Sequence, residues 1–140
     1  MLNQSRKLNS RGFTLLEILI VLGILGTIMA MVMSRVNDSR NSARAKQTQL
    51  ELYSWSEAIN MYYNDCGKYP ASLDAIKKGD GGCSSWEPGA YSKLSTRDPW
   101  GGEFQYTTEG NNYSLKSLGQ DKKEGGTGND ADVESGTGEG

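Results

Sequence analysis

The residues best suited to binding chemistry are acidic side chains set among glycines near the C-terminal end. Asp121 and Glu124 precede a glycine-rich stretch, and Asp130 and Asp132 follow it with one residue between them. Carboxylate and backbone oxygens on a tightly turning chain suit Ca²⁺, which takes about 6–8 oxygen ligands. The spacing is not that of an EF-hand. The same composition also fits a flexible acidic tail, so these residues alone leave both interpretations open.

Catalytic chemistry has little support in the composition. The chain of 140 residues contains no histidine, which excludes a histidine-based triad, a histidine metal site and a histidine pH switch. No nucleophile–base pair or phosphate-binding glycine loop stands out, so the chain is predicted not to be an enzyme. The formal net charge of -2 also argues against a nucleic-acid-binding protein, since such proteins usually carry a basic excess.

The elements that must position these residues begin with an apolar N-terminal segment. Residues 13–33 contain one charged side chain, Glu17, and follow a segment with basic side chains and no acidic one. A basic segment before an apolar run is typical of exported proteins, and about 20 apolar residues in a helix span a bilayer. A membrane anchor and the cleaved signal of a small secreted enzyme or binding domain therefore compete. The residues around Ala30 form a poor signal-cleavage site.

The start of the apolar run carries a specific resemblance. The string RGFTLLE at residues 11–17 resembles the class III signal of type IV pilins and type II secretion pseudopilins. The resemblance implies that a prepilin peptidase cleaves between Gly12 and Phe13, that Phe13 becomes N-methylated, and that the apolar helix is retained. It also implies that Glu17 pairs with the Phe13 ammonium of a neighbouring subunit during assembly. The alternative is that Glu17 neutralises the N-terminus of its own helix.

Helical periodicity continues beyond the apolar run. No strong helix breaker occurs between residues 33 and 65, and a single helix is predicted over residues 13–64. Its later part carries apolar side chains on one face, which we expect to lie in a core. The residues of this stripe are Leu52, Trp55, Ile59, Tyr62 and Cys66.

The remaining body is short. Residues 72–77 predict a short helix, and the alternating residues 103–108 and 112–118 predict a β-hairpin. The Asp-Pro-Trp-Gly segment at 98–101 predicts a tight, packed corner before the hairpin. An exposed binding site at Trp100 is the alternative for this segment.

Cys66 and Cys83 are the only cysteines, so one pairing exists. If the body lies outside the cytoplasm, the oxidising compartment favours a disulfide between them. Closing a loop of about 15 residues contributes roughly 3 kcal/mol in the chain-entropy model. The spacing excludes a CxxC redox motif, and two cysteines are too few for a cysteine-only zinc site. The pair does not lie at the C-terminus, where type IV pilins usually place theirs, and this favours a pseudopilin.

The C-terminal half extends the resemblance. Ser-Leu-Gly-x-Asp at 117–121, Glu-Gly-Gly-x-Gly at 124–128 and Asp-Ala-Asp at 130–132 are similar to the major pseudopilins of type II secretion, within the type IV pilin-like superfamily. Members of that family bind calcium in this loop. The resemblance therefore implies Ca²⁺ as a bound ion, with main-chain carbonyl ligands from Leu118 and near Lys123 and carboxylate ligands from Asp121, Asp130 and Asp132.

The fold implied by the resemblance is an α+β, lollipop-shaped type IV pilin-like fold. A long N-terminal helix packs on a small antiparallel β-sheet with a calcium-stabilised C-terminal loop. The expected parts are a leader peptide, a transmembrane or filament-core helix, a periplasmic half of the long helix, a globular domain and a flexible tail. Their boundaries are residues 1–12, 13–33, 34–65, 66–133 and 134–140.

The function implied by the resemblance is structural. The subunit would span the inner membrane once, with its C-terminal domain in the periplasm. An ATPase-driven inner-membrane assembly platform would then add it to a homo-oligomeric helical pseudopilus, together with minor pseudopilins. This periplasmic filament would promote export of folded proteins across the outer membrane. A type IV pilin for adhesion, motility or DNA uptake shares the N-terminal signal and is the alternative.

Overall fold

A computed structural model describes residues 12–79 and 82–135 of the chain. The chain divides into two compact units, Met1–Asp38 and Ser39–Gly140. In chain order the elements are helix α1 (Leu15–Cys66), helix α2 (Leu73–Lys78), a 3-10 helix (Gly89–Lys93), strands β1 (Gln105–Glu109) and β2 (Asn112–Ser117), a second 3-10 helix (Gly128–Asp130) and strand β3 (Val133–Ser135).

The described part of the first unit consists of the beginning of α1 and the residues just before it. Its large apolar side chains are exposed, from Phe13 to Met33. This stretch of α1 is long and apolar enough to cross a membrane, and none of it is buried inside the protein. An apolar surface of this size marks a site that lipid or another protein chain covers.

The second unit is built on the later part of α1. The apolar stripe predicted from the sequence is confirmed as core, because four of its members are almost completely inaccessible and Cys66 packs against them. A 3.6-residue period places such side chains on one face of the helix. The Trp55 indole N–H donates to the carbonyl of Ser95 at 2.8 Å, which holds the chain before the hairpin against the helix. The four buried members are Leu52, Trp55, Ile59 and Tyr62.

The three strands form one antiparallel sheet in the order β1-β2-β3. The predicted hairpin is confirmed, with Tyr106 of β1 opposite Leu115 of β2. Alternate residues of β2 are buried, and Tyr113 and Leu115 join the same hydrophobic cluster as the α1 stripe. The predicted packing of a long helix on a small antiparallel sheet is therefore confirmed.

Strand β3 departs from the sequence-based expectation. A flexible tail is predicted from Glu134 onward, but Glu134 and Ser135 belong to β3, where Ser135 lies opposite Leu115. The Ser135 hydroxyl also hydrogen-bonds the hydroxyl of Ser56 on α1. A strand this short shows no alternation of its own, and its partner β2 lies across a long loop, so sequence periodicity does not reveal it. The remainder of the predicted tail, residues 136–140, and leader residues 1–11 lie outside the described residues.

The predicted disulfide between Cys66 and Cys83 is present, with the two Cα atoms 5.6 Å apart. Cys66 is the last residue of α1, so the bond ties the end of that helix to the chain beyond α2. Helix α2 begins after Ser72, whose hydroxyl accepts the N–H of Ala75 at 3.3 Å. This N-cap supports a helix too short to be stable alone.

Replacing both Cys66 and Cys83 with serine is expected to lower the free energy of unfolding by roughly 3 kcal/mol, because the unfolded chain regains the freedom that the closed loop removes. Chemical denaturation of the full chain in detergent, followed by tryptophan fluorescence, measures the change. A reductant should lower the stability of the wild-type chain to that of the variant and leave the variant unaffected. Equal stability of the oxidised wild-type chain and the variant would contradict the expectation.

Candidate functional site

The first candidate site is the start of α1, where Thr14 precedes the first helical residue. The main-chain N–H of Glu17 donates to the Thr14 hydroxyl at 3.2 Å. In return, the Thr14 N–H donates to a Glu17 carboxylate oxygen at 3.5 Å. This reciprocal pair is a capping box, which satisfies N–H groups that have no partner inside the helix. Sequence reasoning missed it, although Thr-x-x-Glu before an apolar run is its recognised signal.

Within one chain, the Glu17 carboxylate therefore accepts a main-chain N–H at the start of its own helix. The capped carboxylate is still exposed, and Phe13 is 80% exposed. Gly12 precedes the helix and is exposed as well. The geometry thus leaves the Gly12–Phe13 bond and the Glu17 carboxylate accessible to other proteins.

The Asp-Pro-Trp-Gly segment forms the predicted tight corner. One carboxylate oxygen of Asp98 accepts the N–H groups of Trp100 at 3.0 Å and Gly102 at 2.8 Å. A bridge between Arg97 and Glu103 closes the corner on its way into β1. Trp100 is half-buried, and its Nε1 is enclosed, so the side chain packs into the body. This arrangement favours the packed corner over an exposed tryptophan binding site.

The second candidate site is the loop between β2 and β3, residues 118–132, hereafter the C-terminal loop. Its two ends pass each other backbone against backbone. A Cβ added to Gly119 would lie 2.8 Å from the carbonyl oxygen of Ala131, and one on Gly126 would lie 2.5 Å from that of Asp130. Gly126 also has a φ of 91°, a conformation that favours glycine. The glycines of this loop therefore permit close chain packing, which a flexible tail does not need.

The predicted carboxylate ligands have different surroundings. Asp121 is exposed and accepts the N–H of Lys123 at 3.0 Å, and Asp130 is exposed. Asp132 is half-buried, with Oδ2 accepting the N–H of Gly125 at 3.2 Å. Its Oδ1 is buried and has no hydrogen-bond partner in the described part of the chain. Among the described residues, no three acidic, cysteine or histidine side chains come close enough to hold a metal by themselves.

Glu124, the remaining acidic residue of the first half of this loop, is held by an ion pair. Its Oε1 lies 2.8 Å from the Nζ of Lys116 on β2. The hydrogen bond lowers the pKa of the Glu124 carboxyl and raises the pKa of the Lys116 ammonium. Because Glu124 is well exposed, the pair contributes little to stability. The pair nevertheless places Glu124 of the loop next to Lys116 of the sheet.

A long helix that begins with an apolar stretch and packs its later part on a small antiparallel sheet is the arrangement expected of pilin-like subunits. In agreement, the prokaryotic N-terminal methylation motif matches residues 7–33. The model of type II secretion system protein G matches residues 35–136. The chain belongs to the family of type II secretion system core protein G, the major pseudopilin.

Relatives from three bacteria illustrate this membership. Type II secretion system core protein G of Pseudomonas aeruginosa is 36% identical over 130 residues, which cover 87% of this chain and 92% of the relative. The Xanthomonas campestris protein of the same name is 34% identical over 125 residues, with 87% of each chain covered. The Vibrio cholerae protein is 31% identical over 129 residues, with 87% and 88% covered. The chain is thus a structural, non-enzymatic protein of secretion, as predicted, and not a type IV pilin.

Proposed function

We propose that prepilin peptidase cleaves this chain between Gly12 and Phe13 and that the new N-terminal residue, Phe13, is then N-methylated. The methylation motif at residues 7–33 is the observation that carries the proposal. The exposed, non-helical backbone at Gly12 and Phe13 supports it, because a peptidase requires an accessible bond outside a helix. Residues 1–12 are then a leader that the mature protein lacks.

In the proposed mature protein, residues 13–33 form a single span of the inner membrane. At about 1.5 Å per residue this stretch is about 30 Å long, which matches the hydrocarbon thickness of a bilayer. Residues 34–65 and 66–133 form the periplasmic half of the helix and the globular domain. The Cys66–Cys83 disulfide supports the periplasmic placement, because such bonds persist in oxidising compartments.

The proposed mature subunits leave the membrane and join a homo-oligomeric helical pseudopilus. Glu17 then pairs with the Phe13 ammonium of a neighbouring subunit, because an unpaired carboxylate in an apolar environment is costly. The capping box supports this role, since it holds the Glu17 carboxylate at the first turn of α1. The exposed apolar side chains of α1 would be covered in turn by other subunits. An inner-membrane platform and minor pseudopilins complete the machine, and the growing filament promotes export of folded proteins.

The C-terminal loop is proposed to bind Ca²⁺. The strongest support is the buried Oδ1 of Asp132, because an unsatisfied buried acceptor costs about 1–3 kcal/mol and more when charged. Because no three carboxylates are gathered among the described residues, the three aspartates would have to approach one another when Ca²⁺ binds, with main-chain oxygens completing the ligand set. When bound, Ca²⁺ would supply a cross-link between the two ends of the loop rather than any catalytic step. The proposed ligands are the carboxylates of Asp121, Asp130 and Asp132 and the carbonyls of Leu118 and a residue near Lys123.

Intact-mass and N-terminal analysis of the protein purified from cells tests the processing step. The expected product begins at N-methylated Phe13, because cleavage after Gly12 exposes that residue to methylation. A Gly12→Val variant should keep its leader, since a branched side chain crowds the cleaved bond. A chain that begins beyond Ala30, or an unprocessed wild-type chain, would contradict the proposal.

A further inference from the structure

The Asp98 carboxylate lies outside the proposed ligand set and is only 6% exposed. Besides the two N–H groups of its own turn, it accepts the hydroxyl of Ser117, whose Oγ lies 2.6 Å from Oδ2. A Cβ on Gly102 would stand 3.0 Å from the same oxygen, so the turn closes tightly around the carboxylate. No lysine or arginine in the described ranges forms an ion pair with Asp98. Hydrogen bonds alone therefore hold this buried group in one orientation.

Ser117 connects the Asp98 carboxylate to the C-terminal loop through hydrogen bonds. It is the last residue of β2 and is fully buried. Because an ionised carboxylate only accepts hydrogen bonds, the Ser117 hydroxyl must give its single hydrogen to Asp98. Its oxygen then accepts the main-chain N–H of Gly119 at 3.3 Å. Asp98 thus fixes the orientation of the Ser117 hydroxyl, and this leaves a lone pair of the hydroxyl oxygen for the Gly119 N–H.

Gly119 in turn sets the spacing between the two ends of the loop. Its Cα faces the carbonyl of Ala131 so closely that no Cβ fits, and the next residue, Gln120, donates its N–H to the carbonyl of Asn129 at 3.1 Å. The end of the loop that carries Leu118 and Asp121 is thus docked on the end that carries Asp130 and Asp132. A shift of Gly119 would move the two sets of ligand atoms relative to each other.

We infer that Asp98 is a positioning residue for the cation site of the C-terminal loop and that it acts through the Ser117 hydroxyl. The inference rests on the proposed binding of Ca²⁺ by that loop. Asp98 itself does not contact the ion. Asp98 accepts the hydroxyl of Ser117, and the oxygen of that hydroxyl accepts the N–H of Gly119. Gly119 in turn determines how close the two ligand-bearing ends of the loop lie to each other. Loss of an outer hydrogen-bond partner of this kind lowers metal affinity about 10- to 100-fold.

The test compares Ser117→Ala and Asp98→Asn with the wild-type full chain in detergent. Metal-free protein is titrated with CaCl₂, and tryptophan fluorescence and the melting temperature (Tm) give the Ca²⁺ dissociation constant (Kd) and the stability. Both variants are expected to raise Kd about 10- to 100-fold. Thr48→Val is the matched control, because Thr48 is also fully buried but bonds within α1, to the carbonyl of Arg44 at 2.8 Å. It should leave Kd unchanged, whatever its effect on Tm.

Two results would overturn the inference, and they are distinguishable. If both variants lower the metal-free Tm but bind Ca²⁺ with the wild-type Kd, Asp98 and Ser117 have a structural role only. If the wild-type chain itself does not respond to CaCl₂, the proposed calcium function fails and the inference fails with it. Asp98→Asn keeps the shape of the side chain, so it still provides the measurement if Ser117→Ala does not fold.

Discussion

Glu17→Gln is expected to abolish pseudopilus assembly while leaving processing at Phe13 intact. In the proposed filament the Glu17 carboxylate pairs with the Phe13 ammonium of a neighbour, and breaking a buried ion pair costs about 3–5 kcal/mol. That loss corresponds to at least about a 100-fold weaker addition of each subunit. Electron microscopy and the sheared filament fraction measure assembly, and intact mass measures processing.

The choice of glutamine separates the two roles of Glu17. A glutamine at this position of a capping box still accepts the Thr14 N–H, so the helix start stays capped. Glu17→Ala removes both the cap and the charge. If the charge drives assembly, both variants fail. If the cap alone matters, Glu17→Gln assembles normally and only Glu17→Ala fails, a result that would contradict the proposed pairing.

The matched control for Glu17→Gln is Glu57→Gln. Glu57 is another exposed carboxylate of α1, but it lies in the second unit, far along the chain from the proposed membrane span. The same chemical change there should leave both processing and filament yield at wild-type levels. A general loss of assembly on neutralising any α1 carboxylate would argue against a specific role for Glu17.

Removal of Ca²⁺ is expected to lower the Tm of the wild-type chain by roughly 10 °C. Ligand at 100 times its Kd contributes about 2.7 kcal/mol to stability, and about 1 kcal/mol shifts the Tm of a domain of this size by about 4 °C or more. Thermal unfolding of the full chain in detergent, with CaCl₂ or with a chelator, measures the change. Mg²⁺ should not restore the Tm, because it demands a smaller octahedral site. A Tm that the chelator leaves unchanged would refute calcium binding.

Asp132→Asn sharpens this experiment because it should lower the Tm only in the presence of Ca²⁺. Without metal, a neutral amide costs less to bury than a carboxylate whose Oδ1 has no hydrogen-bond partner in the described part of the chain, so the Tm should stay the same or rise. With CaCl₂, the variant should lose most of the wild-type gain. Asp74→Asn is the control, since Asp74 is an exposed carboxylate on α2 outside the loop. A variant that melts lower than wild type in both states would indicate a purely structural Asp132.

Much of the fold is readable from local sequence patterns. The burial of Leu52, Trp55 and Ile59 follows from their spacing, because helix periodicity is a property of neighbouring residues. The hairpin of β1 and β2 follows equally from alternation around a turn. The Thr14–Glu17 capping box is also local, because Thr-x-x-Glu before an apolar run is enough to predict it.

Other features depend on contacts between residues far apart in the chain. Strand β3 forms because it pairs with the edge of β2 that β1 does not occupy, and nothing in the Val-Glu-Ser sequence alone specifies that pairing. The hydrogen bond between Asp98 and Ser117 joins a turn to the end of a strand. An aspartate and a serine usually indicate exposed positions, and only the closed core makes them buried partners.

The sequence by itself determined the members of the apolar stripe, because helical spacing is a local property, and its motifs carried the resemblance that indicated the class of the protein. It also placed the acidic side chains of the C-terminal loop near glycines. The tertiary structure decided that this loop is packed end against end, that one oxygen of Asp132 is buried without a hydrogen-bond partner among the described residues, and that Asp98 holds Ser117. Those features arise from chain segments that meet only after folding, where burial makes each missing or satisfied hydrogen bond energetically significant.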